Sequence, residues 1–72
     1  MLTAETVTDD QLRELRLSTA RLTVGPHVAG IVGLALGDTE EARIVLALKP
    51  NQRKVARSRC VQILNASAKE GK

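Results

Sequence analysis

Phenylalanine, tyrosine and tryptophan are all missing from this 72-residue chain. Its core must come from Leu, Val, Ile and Ala, which bury less area per residue than rings do. None of these rings is there to stack on the bases of RNA or single strands. One cysteine, Cys60, forms no disulfide within the chain, and with one histidine, His27, no structural zinc set can be assembled. A lone reduced cysteine fits a cytoplasmic setting. The start "MLTAETVTDD" has neither a basic head nor an apolar run, so no signal peptide is expected. Phosphate loop, dinucleotide fingerprint, metal-ligand cluster and catalytic-triad spacing are also wanting. The expectation is a protein that is not an enzyme and holds no cofactor or metal.

A chain this short buries only about 60% of its unfolded surface on folding. Without a staple its stability is marginal, which favours self-association or a larger partner. Net charge is +3, but the two halves differ sharply. Residues 1–41 carry seven acids and three arginines; residues 42–69 carry seven cations and no acid. Such asymmetry points to a polyanion-binding face, or to two faces that attract each other within or between chains.

The densest local signal is "TVTDDQLRELRLSTARL". Thr8 can cap a helix, Gln11 stands three later as in a capping box, and Asp9 and Asp10 lie at the positive end of the dipole. Leu12, Leu15, Thr19 and Leu22 then share one face, which predicts a helix over about 8–22.

"GPHVAGIVGLALGD" predicts a second helix, with Pro26 in its first turn and Gly37 as the left-handed residue after it. Val28, Ile31, Val32, Ala35 and Leu36 have core spacing. About eleven residues are too few for the ~20 that cross a bilayer, so no membrane role is expected. The opposite side holds Ala29, Gly30, Gly33 and Leu34, where a solvent-facing helix would carry Lys, Glu or Gln. Glycine inside a helix costs about 1 kcal/mol against alanine. Ala29, Gly33 and Gly37 stand four apart, the spacing that lets another backbone approach. Three readings stay open: a helix packed on both sides within its own fold, a docking face for a second copy or a foreign protein, or a strand pairing with "ARIVLAL".

Asp38, with Glu41 three later, looks like a second capping box opening a short helix over 39–49. That helix would be apolar almost all round through Ile44, Val45, Leu46 and Leu48, although "IVLAL" is also a good buried strand. Pro50 ends it. The last element is a helix over about 51–68 with core positions Ala56, Cys60, Ile63, Leu64 and Ser67. Arg53 and Arg57 border that face on one side, Lys54 lies further round, and Arg59 borders the other side. The expected fold is all-α, one domain spanning 1–72 as a bundle of three to four short helices, with 1–6 and 69–72 as frayed tails. The alternative is α+β, with a hairpin over residues 28–48 flanked by two helices.

Three pieces, "TVTDDQLRELR", "ALGDTEEAR" and "ARSRCVQILNA", resemble a group of small uncharacterised helical proteins of bacterial phages, plasmids and other mobile elements. The group runs almost directly from the second piece to the third, whereas "IVLALKPNQRKV" intervenes here. The resemblance implies an all-helical fold and a mobile-element origin, and supplies no activity or binding residue.

His27 and Cys60 are the only candidates for nucleophilic or general-base work. His27 sits in a first helical turn, where the dipole disfavours an imidazolium. Cys60 has core spacing and reads as a small buried hydrophobe. Two non-enzymatic functions remain. In the favoured one the chain is a protein-binding module, such as a mobile-element accessory protein or an inhibitor of the anti-CRISPR kind. It would dock on a protein partner or a second copy through Ala29, Gly30, Gly33, Leu34 and Gly37. In the alternative, a small DNA-binding regulator, Arg53, Lys54, Arg57 and Arg59 contact phosphates while Gln52, Ser58 or Gln62 reach base edges. The same cations would also serve an acidic partner.

Overall fold

The computed structural model of the chain describes residues 2–23 and 25–70, with residues 68–70 as backbone only. Five helices run α1 (Asp9–Arg13), α2 (Leu17–Thr23), α3 (Pro26–Leu36), α4 (Thr39–Leu46) and α5 (Pro50–Glu70). No strand occurs among the described residues. The fold is thus all-α, with one helix more than the upper expected number, and residues 28–48 form two helices rather than a hairpin.

The extra helix comes from a break in the segment expected to be continuous over 8–22. The Thr8–Gln11 capping box forms as anticipated, with both arms present. The chain then closes through i→i−3 bonds at Glu14, Leu15 and Arg16, and Arg16 takes a left-handed φ of 63°. That conformation costs a residue bearing a Cβ roughly 1–2 kcal/mol. The break changes what faces inward. Leu12, Leu15 and Ala20 are buried, whereas Thr19 is exposed and Leu22 is 89% exposed. Along an unbroken helix Thr19 and Leu22 would have continued the apolar stripe; after the turn Ala20 and the half-buried Leu17 replace them.

Helix α3 is the hub, in contact with each of the other four helices and most extensively with α4. Val28, Ala29, Gly30, Ile31, Val32, Gly33 and Ala35 are all buried, so both of its sides are covered. Gly37 ends it at φ 82°, and the Asp38 N–H closes back onto the Gly33 carbonyl at 2.7 Å. A second closure comes from α1, where Arg13 Nε donates to the Ala35 carbonyl at 2.9 Å. This places a cation at the negative end of the α3 dipole.

Asp38 caps α4 by accepting from the Glu41 N–H at 3.0 Å. The expected reciprocal arm does not form, because the Glu41 carboxylate pairs instead with Arg21 of α2. The helix stops at Leu46, before the expected residue 49, and Leu46 itself is 65% exposed. Pro50 opens α5 rather than closing α4. The Lys49 N–H donates to Gln52 Oε1 at 3.0 Å, a one-armed version of the same box.

Helix α5 buries Ala56, Cys60, Val61 and Leu64, while Ser67, assigned to the core by spacing, is exposed. Its Arg57 and Asn65 grip the start of the chain. Arg57 donates to the carbonyls of Ala4 (3.0 Å) and Val7 (2.7 Å). Asn65 exchanges two bonds with the Leu2 backbone at 3.2 and 3.0 Å. Residues 2–6 are therefore docked, not the frayed tail expected over 1–6. At the other end Lys69 and Glu70 continue α5, while Gly71 and Lys72, the remainder of the expected 69–72 tail, lie outside the described residues. Among the described residues no helix is long and apolar enough to cross a membrane.

Candidate docking grooves beside the basic helix

The smooth side of α3 is occupied by its own chain. A methyl group added at Gly30 would lie 2.7 Å from Val45 Cγ2 and 2.8 Å from the Glu41 carbonyl oxygen. At Gly33 it would overlap Glu41 Cβ. The small residues thus let the α3 and α4 backbones cross closely, which corrects their assignment as a partner-contact face. Ala29, Gly30 and Gly33 are interior. Of the five residues in that set, Leu34 (50% exposed) and Gly37 face solvent.

The α3–α4 crossing also explains a buried charge. Glu41 is only 6% exposed, and its carboxylate accepts from the half-exposed Arg21 guanidinium. The hydrogen bond to Glu41 holds the Arg21 pKa above its ordinary range, with further help from the acids at Asp38 and Glu40. An acid that looked like a helix-start residue is in fact the tie between α2 and α4.

The cations of α5 divide. Arg53, Lys54 and Arg59 are exposed, whereas Arg57 is partly buried and spends its donors on two backbone carbonyls. Among the described residues the ion pairs are Arg13–Asp10 and Arg21–Glu41, both within the acidic half. Among the described residues none of Arg53, Lys54, Arg57 and Arg59 forms an ion pair with a carboxylate. Among the described residues no direct ion pair joins the acidic and basic halves.

A groove lies on each side of the first turns of α5. One, of about 390 Å³, has Ile31, Leu34 and Val45 beside Arg53, Lys54 and Arg57, with Ala4 and Glu5 at its edge. The other, of about 540 Å³, has Val28, Val55 and Ala56 among Thr23, His27, Asn51, Gln52 and Arg59. The split follows the helical wheel, since 52, 55, 56 and 59 share a face that 53, 54 and 57 do not. As the wheel anticipated, the positive charges form no single stripe.

Sequence reasoning passed over Val55, which is 60% exposed, and the groove it helps line. The available signal was a β-branched apolar residue inside the basic run "RKVARSR" at a position outside the core spacing. Cys60 is fully buried, and its thiol faces the Val28 carbonyl at 4.0 Å. Burial pushes its pKa up to about 11, against a smaller opposing pull from Arg57. His27 is exposed on the rim of the larger groove. No protein-family model, no curated protein and no solved structure matches this chain.

Proposed function

We propose that this chain is a small non-enzymatic protein-contact module. It docks through the groove between α3, α4 and α5, and its first occupant is the acidic start of α1 in a second copy. The carrying observation is the pairing of an apolar floor at Ile31, Leu34 and Val45 with two exposed cations, Arg53 and Lys54, that have no carboxylate partner among the described residues. Asp9 and Asp10 supply the complement, being adjacent acids that are both exposed. Opposite charges across an interface select register and partner more than they add affinity. The small aliphatic core gives self-association something to stabilise. An accessory or inhibitor role in a phage or plasmid, in a reducing compartment, is the proposed setting; it rests on the three-piece sequence resemblance and the single cysteine.

Solution mass by light scattering with refractive-index detection tests this, since the chain has no aromatic absorbance. At low salt a mass above the monomer is expected, falling as salt screens the contacts. Reversing Arg53 and Lys54 to Glu, or Asp9 and Asp10 to Lys, should each give monomers, and mixing the two variants should restore association. A monomer throughout would remove the second copy as occupant and leave a foreign acidic segment as the partner to seek.

DNA binding is the second reading, carried by the exposure of Arg53, Lys54 and Arg59. It is the weaker one because Arg57 and the Gln52 carbonyl oxygen are already bonded within the chain. Retention of the wild type on duplex DNA, lost with a flattened salt dependence in the Arg53→Glu/Lys54→Glu variant, would reverse the ranking.

A further inference from the structure

The larger groove has a character of its own, separate from the docking surface just described. Its volume of about 540 Å³ falls within the range that holds small molecules. Its floor is aliphatic. Val28 and Ala56 are each only 3% exposed, and the exposed Val55 stands beside them. Around that floor sit the side chains of His27, Asn51 and Arg59. None of those three makes a hydrogen bond or an ion pair elsewhere among the described residues. Among the described residues no acid lines the groove.

These features define a ligand class by exclusion and by complement. A planar base or aromatic ring finds no Phe, Tyr or Trp to stack on, only the edge-placed His27 imidazole and Arg59 guanidinium. A cation finds no carboxylate. An aliphatic chain matches the methyl-lined floor, and a carboxylate matches the Arg59 guanidinium, whose planar fork can hold both oxygens at once. We propose that the α2–α3–α5 groove binds a small aliphatic carboxylate, its chain over Val28, Val55 and Ala56 and its head on Arg59 with His27 and Asn51 as further donors.

The test is a titration of the ¹⁵N-labelled full chain with octanoate, and in parallel with octylammonium and octanol. Octanoate should shift the amides of His27, Val28 and residues 51–59, and octylammonium should leave them unmoved. Arg59→Gln should weaken octanoate roughly tenfold, as loss of a charge-assisted hydrogen bond does, while octanol binding stays unchanged. Arg59 is exposed, so this variant keeps the fold, which an unchanged amide spectrum outside the groove would confirm. Val55→Asp, also at an exposed position, should abolish binding of both octanoate and octanol. The proposal is overturned if octanoate shifts nothing, if the shifts lie outside the groove, if octylammonium moves the same amides equally, or if Arg59→Gln binds octanoate as the wild type does.

Discussion

At Gly33 the first turn of α4 passes so near that even one methyl group has no room. Alanine there would gain about 1 kcal/mol in helix propensity. It would lose about 1–3 kcal/mol to overpacking, because the obstructing atom, Glu41 Cβ, is fixed to the backbone. Gly33→Ala should therefore lower the thermal midpoint, by several degrees for a domain of this size. A rise in midpoint would mean that α4 does not sit on that face. Cys60 supplies a pH dependence of known sign. Its pKa rises from the ordinary 9.0 to about 11 on folding, so the unfolded chain releases the thiol proton first. The stabilisation is complete below pH 9 and is lost as pH climbs through 11, with on the order of 2–3 kcal/mol at stake. Urea midpoints should fall over that window, and the Cys60→Ala variant should fall less. Equal alkaline losses in the two proteins would locate the effect elsewhere.

The α1–α2 break tests how elements are set. Arg16 holds a left-handed φ, so Arg16→Gly exchanges a steric cost of roughly 1–2 kcal/mol for a smaller entropic one. The variant should be as stable as the wild type or better, by up to about 1 kcal/mol, in urea unfolding. An unbroken helix over 8–22 would instead lose about 1 kcal/mol to a mid-helix glycine, so a clear loss would count against the break. The elements also show where sequence reading stops. Thr8–Gln11, Asp38 and Gly37 acted as local signals because a cap is made by residues within four positions of one another. No local signal marked Arg16, whose turn follows from which of Leu17, Ala20 and Leu22 meets α3. Glu41 shows the same limit from the other side: its spacing promised the second arm of a capping box, but an arginine twenty positions upstream took its carboxylate.

On the scale of the whole molecule, the chain has a radius of gyration of 11.1 Å, matching the roughly 11 Å of a compact domain of this length. Its two ends are tied together. Arg57 and Asn65 hold residues 2–7 against α5 over separations of 50 to 63 positions. Arg57→Gln should free that segment, cutting amide protection around Val7 and costing about 1–3 kcal/mol for the two carbonyls left without their donor. Unchanged protection around Val7 would show that Asn65 and the buried Val7 side chain suffice. The sequence by itself determined the helical class, the small aliphatic core, the caps and the separation of charge between halves, because composition and contacts along a helix depend on near neighbours. Tertiary structure alone decided that the glycine face is interior, that Arg57 and Glu41 serve the fold, and that Leu34 and Val55 are left at the edges of two grooves. Those outcomes depend on which helix crosses α3 and at what distance, and a crossing between residues far apart in the chain leaves no periodic trace in either helix.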